Sequence, residues 1–255
     1  MDAIVLAGGI PQSEESIYSL TRGGYKCMLN LAGKPMVQWV LDAIGESRSV
    51  SRVVLIGLPL ETNLSCAKPI VNLPNQGVFL RNIHLAAVEL ARENPPSQQV
   101  LLVAGDLPGI KAEMIDWFIE TIQNDEMDIH STVVERSVME KRFPNSRRTF
   151  IRFKDAEVCG GDISALRLSL LASENPLWQD WIESRKNPLK QASLVGYDPA
   201  FIVLIQEFPL ETAARAFSAR LGFRARVIRS PYAEVALDVD KPYQFEILKE
   251  ILSKR

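Results

Sequence analysis

Short apolar runs alternate with amphipathic helical segments along the first half of this chain. The runs lie at residues 3–7, 53–56, 100–104 and 129–134, and the helical segments lie at 36–44, 80–91 and 114–122. The first three runs are apolar at consecutive positions, so both faces of each strand must be covered by other parts of the chain. The alternation predicts a parallel sheet with helices packed on both faces.

The pattern changes after residue 135. A polar segment rich in basic residues covers 136–148, and residues 149–157 alternate and turn in the manner of a half-exposed hairpin. Further helices are predicted at 166–171, 177–182, 210–221 and 243–252, and further strands at 223–228 and 234–237. Because no stretch has the composition of a linker, we expect one domain over residues 1–255. It comprises 1–135, an inserted subregion at 136–230, and a return strand with a terminal helix at 231–255.

The composition excludes several kinds of partner. The 255 residues carry 29 basic and 31 acidic side chains, a net charge of -2, so we expect neither nucleic acid nor a membrane surface as a partner. No apolar run approaches the roughly 20 residues of a transmembrane helix. Residue 2 is Asp and a strand-like run follows at once, so no secretory signal is expected. The three cysteines lack a C-x-x-C spacing, which favours a cytoplasmic location.

The histidine content restricts the possible chemistry. The chain has two histidines, His84 and His130, and neither lies near a nucleophile motif such as G-x-S-x-G. A histidine-rich metal site is therefore excluded, and a Ser-His-Asp triad is disfavoured.

Two features stand at the ends of predicted strands, where parallel sheets bind their ligands. The first strand runs into Leu6, Ala7, Gly8 and Gly9, and glycines let backbone N–H groups approach a phosphate or a base. Asp106 follows the run at 100–104, and its carboxylate suits Mg²⁺, which prefers oxygen ligands. Taken singly, the glycines are equally typical of a tight turn, and Asp106 is equally typical of a helix cap.

Five short motifs follow one another along the chain, and their order is more specific than any one of them. They are Leu-Ala-Gly-Gly at 6–9, Lys-Cys-Met-Leu at 26–29, Gly-Lys-Pro-Met at 33–36, Gly-Asp-Leu-Pro at 105–108 and Asp-Val-Asp-Lys-Pro at 238–242. In this order they resemble the MobA-like nucleotidyltransferase family, whose members attach a nucleoside monophosphate to a phosphorylated acceptor and release pyrophosphate. The resemblance implies an α/β, three-layer Rossmann-like nucleotidyltransferase fold with a mainly parallel central sheet, and Mg²⁺ as the cofactor.

The resemblance implies a role for each residue that matches the donor side of the site. Most of these residues lie in the nucleotide-binding portion, residues 1–135. Backbone groups of Leu6, Ala7, Gly8 and Gly9 would contact the NTP, and the segment 75–82, with Asn75 and Gly77, would read the base. Lys26 would neutralise the triphosphate and the charge that develops at the α-phosphorus. Asp106 and Asp238 would hold Mg²⁺, while Asp240 would cap the last helix or exchange roles with Asp238.

Two departures from the family pattern concern the phosphates and the acceptor. Arg22 precedes Lys26 by four residues where relatives have five, and it would reach the β- and γ-phosphates or remain an exposed arginine. On the acceptor side, 136–230, Gly160, Gly161 and Asp162 match a Gly-Gly-Asn stretch of relatives, with Asp in place of Asn. One or two residues of a basic stretch are candidates for the acceptor phosphate, Arg147 first among them, since arginine suits bidentate contact. The stretch comprises Lys141, Arg142, Arg147, Arg148 and Arg152.

Two other functions stay open at this stage. A glycosyltransferase that consumes a nucleotide sugar is disfavoured, because Gly105-Asp106-Leu107 lacks an Asp-x-Asp motif. A non-catalytic nucleotide-binding protein of the same fold is compatible with the altered first loop and with Asp162. Acceptors in the wider family include sugar phosphates, molybdopterin and short phospho-acids, and the motifs do not distinguish among them. The motifs also leave the base of the NTP and the oligomeric state open.

Overall fold

A computed structural model describes residues 1–93, 95, 98–172 and 207–254. Its strands are β1 (Asp2–Leu6), β2 (Asn30–Leu31), β3 (Lys34–Pro35), β4 (Val53–Ile56), β5 (Ile70–Leu73), β6 (Gln99–Ala104), β7 (Ile129–Glu135), β8 (Ile151–Arg152), β9 (Glu157–Arg167) and β10 (Ala225–Ser230). Its helices are α1 (Tyr18–Thr21), α2 (Met36–Glu46), α3 (Phe79–Ala91), α4 (Ala112–Ile122), α5 (Arg136–Arg142), α6 (Leu168–Ala172), α7 (Leu210–Leu221) and α8 (Pro242–Leu252). Two 3₁₀ helices cover Lys26–Met28 and Ala233–Ala236.

Within the described residues, eight strands form one sheet in the order β10-β7-β9-β6-β1-β4-β5, with β8 paired to β9. The strand β1 lies between β4 and β6 and is parallel to both. The strand β9 runs antiparallel to its neighbours β6 and β7. The carboxyl ends of β1, β4 and β6 therefore lie at the same edge as the amino end of β9.

Helices cover both faces of the sheet. On one face Met36 of α2, Phe118 of α4 and Leu248 of α8 belong to one buried apolar cluster. On the other face Ile83 of α3 and Leu168 of α6 belong to a second buried cluster. This arrangement confirms the predicted three-layer α/β fold. None of the helices in the described part combines the length and the apolar character that a bilayer crossing requires.

Most predicted elements are present, with bounds shifted by at most two residues. The predicted strand at 234–237 is wrong, since Ala233–Ala236 is a 3₁₀ helix, and a short apolar run does not by itself distinguish a strand from a helical turn. The predicted helix at 166–171 begins at Leu168 instead, because the preceding residues still belong to β9. The helix predicted at 177–182 lies outside the described residues.

Candidate active site

Three aspartates meet at the carboxyl end of the central strands. Asp106 follows β6, and Asp238 and Asp240 lie in the segment that leads into α8. One carboxylate oxygen of each residue lies within 4.8 Å of the others. The backbone N–H of Val239 donates to the carbonyl of Asp106 at 3.1 Å, which fixes this segment beside the end of β6. The structure thus brings the predicted pair together and adds Asp240.

The structure corrects the predicted helix-capping role of Asp240. The N-cap of α8 is Lys241, and Oε1 of Gln244 accepts from the backbone N–H groups of Asp240 at 2.9 Å and Lys241 at 2.7 Å. The backbone N–H of Gln244 donates to the carbonyl of Lys241 at 3.0 Å, and the carboxylate of Asp240 pairs with Lys26 instead of capping the helix.

Lys26 is the cation at the centre of this cluster. It opens a 3₁₀ helix, and its backbone N–H donates to the carbonyl of Gly9 at 2.8 Å. Its ammonium group forms ion pairs with both Asp106 and Asp240. Burial alone would lower the pKa of Lys26, but these two carboxylates outweigh it and raise the pKa above its ordinary value. The side chain is therefore a fixed positive charge beside the glycine loop.

Asp238 has a different cation, Arg148. Nη1 of Arg148 lies 2.5 Å from Oδ1 of Asp238, and its Nη2 donates to the carbonyl of Gly160 at 3.3 Å. Burial and the carboxylates of Asp106 and Asp240 raise the pKa of Asp238 to about 7, in spite of the arginine. The guanidinium of Arg148 thus bridges the segment before α8 and the strand β9.

Arg148 is a site residue that the sequence did not single out. Arg147, the predicted acceptor residue, is exposed, and its guanidinium lies 5.4 Å from the ring centroid of Tyr243. The backbone at Arg147 has a φ of 49°, an unusual conformation for a non-glycine residue. At this turn the side chain of Arg147 lies over the ring of Tyr243, whereas the side chain of Arg148 reaches Asp238.

Asp162 lies beside the cluster because of a bulge in β9. Gly160 pairs with Val133 and Ser164 pairs with Ser131, so residues 161–163 all stand opposite Thr132. A Cβ at Gly161 would lie 2.2 Å from Oγ1 of Thr132, so the position requires glycine. Bulges re-aim side chains, and here Oδ2 of Asp162 is buried and has no hydrogen-bond partner among the described residues. Burial, followed by the carboxylates of Asp238 and Asp106, raises the pKa of Asp162 well above its ordinary value.

The glycine loop after β1 is held by neighbouring strands. The N–H of Ala7 donates to Ile56 of β4 at 2.9 Å, and the N–H of Gly105 donates to Leu6 at 2.9 Å. Gly57 has a φ of 111°, and a Cβ there would lie 2.3 Å from the backbone N of Gly8. A Cβ at Gly9, by contrast, would have no atom within 4 Å. Contacts with the neighbouring strands therefore fix the backbone at residues 6–8. Among the described residues none fills the space beside Gly9, which leaves room there for a nucleotide.

The predicted base-reading segment contacts the same loop. Nδ2 of Asn75 donates to the carbonyl of Gly8 at 3.2 Å, and its Oδ1 accepts from the N–H of Gly77 at 2.9 Å. Nδ2 of Asn82 donates to Oδ1 of Asn75 at 3.1 Å, and Oδ1 of Asn82 accepts from the N–H of Gln76 at 2.7 Å. Both amide side chains therefore shape the loop, and Gly77 adopts a φ of 76° beside open space.

The structure does not bring Arg22 to the cluster. It ends α1 with a φ of 49°, and its side chain is exposed. Contact between Arg22 and the phosphates stays a prediction.

Comparison with known proteins agrees with this geometry. Residues 3–220 match the family model of the MobA-like NTP transferase domain. This chain belongs to the MobA-like NTP transferase family. The predicted family and the predicted enzyme class, a nucleotidyltransferase, are confirmed.

Individual relatives of this MobA-like chain extend the comparison. A 3-deoxy-manno-octulosonate cytidylyltransferase of Bdellovibrio bacteriovorus is 22% identical over 249 residues, covering 93% of this chain and 95% of the relative. The bifunctional protein GlmU of Thermoanaerobacter pseudethanolicus is 30% identical over 137 residues, 52% of this chain, and the match spans only 28% of that relative.

Solved structures resemble the whole fold. A hypothetical transferase from Thermus thermophilus has a TM-score of 0.77 and 29% identity, covering 96% of this chain and 98% of that chain. A CMP:2-keto-3-deoxy-manno-octonic acid synthetase in complex with CTP has a TM-score of 0.58 and 15% identity, covering 99% and 98%. The second likeness shows the fold alone.

The MobA-like resemblance implies Mg²⁺, and the residues present fit a hard divalent cation. Carboxylate oxygens are the ligands that Mg²⁺ prefers, and the three aspartates offer them within 4.8 Å of one another. Oδ2 of Asp162 is a buried acceptor that has no donor in the described part of the chain. Asp106 and Asp238 would hold the ion, and Asp240 and Lys26 lie directly beside them.

Proposed function

We propose that the protein transfers a nucleoside monophosphate from an NTP to a small phosphorylated acceptor, with Mg²⁺ as cofactor and pyrophosphate as the second product. One observation carries this proposal. Asp106, Asp238 and Asp240 lie within 4.8 Å of one another, and Lys26 joins two of them to the glycine loop at 6–9. The family membership favours this reaction over a nucleotide-sugar-dependent glycosyltransferase.

Each group of residues has a separate role in the transfer. Positioning and charge stabilisation dominate phosphoryl-type reactions. Backbone groups of the loop 6–9 hold the nucleotide, and the loop around Asn75 and Gly77 faces the base. The ammonium of Lys26 leaves its carboxylate partners for the triphosphate and neutralises charge at the α-phosphorus. Asp106 and Asp238 hold Mg²⁺, which supplies positive charge to the phosphate oxygens when bound.

No side-chain base is required for this reaction. An acceptor phosphate is mostly ionised at pH 7, because its second pKa is about 6, and its oxygen attacks the α-phosphorus in line while pyrophosphate leaves. Neither histidine is placed at the cluster. His130 is buried near the start of β7, 3.3 Å from Asp125, and His84 lies on α3 beside Leu171. The site therefore suits transfer to an ionised acceptor.

The acceptor side of the site lies along β9. Gly160, Gly161 and Asp162 border the cluster, and Arg148 offers a guanidinium there for the acceptor's anionic group. For the donor we propose CTP, because the relative that covers almost the whole chain is a cytidylyltransferase. A cytoplasmic location stays a prediction, with which the three free cysteines agree.

Thermal unfolding with CTP, UTP, GTP and ATP, each with and without Mg²⁺, tests the donor half of the proposal. A ligand at about 100 times its Kd adds about 2.7 kcal/mol to stability, so we expect a clear Mg²⁺-dependent shift with CTP. Pyrophosphate release is then measured with a panel of phosphorylated sugars and alcohols. Stabilisation by nucleotide sugars alone, without pyrophosphate release from any NTP, would reject the proposal in favour of the glycosyltransferase.

A further inference from the structure

Asp162 is the one aspartate of the site without a cationic partner in the described part of the chain. Asp106 and Asp240 pair with Lys26, and Asp238 pairs with Arg148. Oδ2 of Asp162 is buried and accepts no hydrogen bond there. A buried carboxylate oxygen without a donor or a cation is costly, so this oxygen is placed to receive a ligand.

The fold is built to place Asp162 at this position. Residues 161–163 stand opposite Thr132 alone, and only glycine at 161 permits the close approach of Oγ1 of Thr132. The same hydroxyl donates to the carbonyl of Ile163 at 2.7 Å, which holds the bulge in shape. The charges of Asp238, Asp106, Arg148 and Asp240 all act on the carboxyl group of Asp162, so the bulge places Asp162 near the predicted cation site.

The charge balance of the site shows what Asp162 adds. Four carboxylates, of Asp106, Asp162, Asp238 and Asp240, face two cations, Lys26 and Arg148. With these six groups ionised, as a bound cation would keep them, they carry a charge of -2, which one divalent cation balances without any help from a nucleotide. The Asn of relatives at this position would leave only three carboxylates, a charge of -1, and a loaded site would then need the negative charge of the NTP.

We propose that Asp162 is an outer partner of the divalent-cation site and that, because of it, this protein binds its cation before the nucleotide arrives. The proposal rests on the proposed function only in placing the cation at Asp106 and Asp238. The expected consequence is an order of binding. Asp162 adds a negative charge to the acceptor side of the site, and the bound cation offsets this charge before the anionic acceptor enters.

Binding of Mn²⁺ to the nucleotide-free full-length protein tests this proposal, because the electron paramagnetic resonance signal of free Mn²⁺ reports binding without any need for activity. We expect one Mn²⁺ per chain in the wild type. Asp162→Asn should weaken this nucleotide-free binding by about tenfold or more, as is typical when an outer partner of a metal site is removed, and should weaken Mn²⁺ binding much less when CTP is present. Asp42→Asn is the matched control, since Asp42 lies on α2 and pairs with Lys34.

Several outcomes separate this inference from the proposed function. Wild-type protein that binds no Mn²⁺ without nucleotide, or Asp162→Asn that binds it as tightly as the wild type, overturns the inference even if NTP turnover is found. Nucleotide-free binding that Asp162→Asn weakens and Asp42→Asn does not supports it, even if no NTP is turned over. Because Asn is nearly isosteric with Asp, an unchanged unfolding midpoint in the variant confirms that the comparison is made between folded proteins.

Discussion

The two ends of the central sheet use charge differently. At the amino ends of the strands, carboxylates and arginines are matched, with Arg52 at 2.8 Å from Asp2, Arg226 at 2.8 Å from Asp125 and Arg167 at 2.9 Å from Asp128. At the carboxyl ends, four aspartates face Lys26 and Arg148.

This difference separates structural charge from functional charge. Matched pairs join elements that are distant in sequence, such as the loop at 124–128 to β9 and β10, and each carboxylate in these pairs is balanced by its arginine. An excess of buried negative charge lowers the stability of the folded protein. Binding of a cation restores that stability. Substitutions at the carboxyl ends should therefore change ligand binding, and substitutions at the amino ends should change stability.

The largest effect is expected for Asp106→Asn. This carboxylate is the predicted Mg²⁺ ligand after β6, and metal-ion stabilisation of transition-state charge is worth several kcal/mol. Pyrophosphate release with the acceptor found in the panel should fall by at least about 100-fold, while far-UV circular dichroism stays that of the wild type. Asp128→Asn at the other end of the sheet is the control. Full activity in Asp106→Asn would show that the cluster is not the metal site.

The next effect concerns the backbone that carries the carboxyl-end site. Gly57→Ala should destabilise the protein by about 2–3 kcal/mol in urea unfolding, because alanine is strained at positive φ and its Cβ would meet the N of Gly8 at 2.3 Å. Gly9→Ala is the matched control, since its Cβ would meet no atom within 4 Å. Equal stability of the two variants would mean that Gly8 and Gly57 are not in close contact.

A smaller effect is expected at the amino ends. Asp128 accepts from Nε of Arg167 at 2.9 Å and from the backbone N–H of Arg224 at 2.8 Å. Asp128→Ala should lower the free energy of unfolding by about 1–2 kcal/mol, since these bonds are partly exposed. Its Mn²⁺ affinity and its pyrophosphate release should equal those of the wild type. A loss of Mn²⁺ binding in this variant would contradict the separation of the two ends.

The sequence predicted the parallel strands of the sheet well, except for β5 at Ile70–Leu73, and it predicted the antiparallel strand β9 poorly. The strands β1 and β4 are apolar at consecutive positions because both of their faces are buried. The strand β9 contains glycines and the polar residues Asp162 and Ser164 because it borders the site, so its eleven residues do not resemble a buried strand. Its place between β6 and β7 depends on pairings far apart in the chain, which local patterns do not contain.

The site could be predicted where a motif lies next to a strand and not where side chains meet across the fold. Asp106 and the glycine loop were found in this way, and Lys26 and Asp238 were found by the resemblance to relatives. Asp240 was predicted only as an alternative to Asp238, and Arg148 only as one member of the basic stretch. Nothing in the sequence distinguishes Arg148 from Arg147, because the backbone turn at Arg147 determines which of them reaches Asp238.

The smallest effect is expected for Asp116, a carboxylate at the amino end whose pKa is lowered, whereas the pKa of Asp238 is raised. Asp116 on α4 accepts from Oγ of Ser47 at 2.5 Å and from the N–H of Ser49 at 3.0 Å. Burial opposes ionisation of Asp116, but these hydrogen bonds outweigh it and lower its pKa below the ordinary value of 3.8. A carboxyl whose folded pKa is lowered contributes stability above its unfolded pKa and loses that contribution as the pH falls through the folded pKa. The wild type should therefore be more stable than Asp116→Asn at pH 7, by about 1 kcal/mol, and this difference should shrink below about pH 4.

Ser47→Ala, which removes one donor, should show a smaller part of the same pH dependence. Urea unfolding of the three proteins from pH 7 to pH 3 measures it, and a difference that stays constant over this range would show that the hydrogen bonds to Asp116 do not depend on its charge.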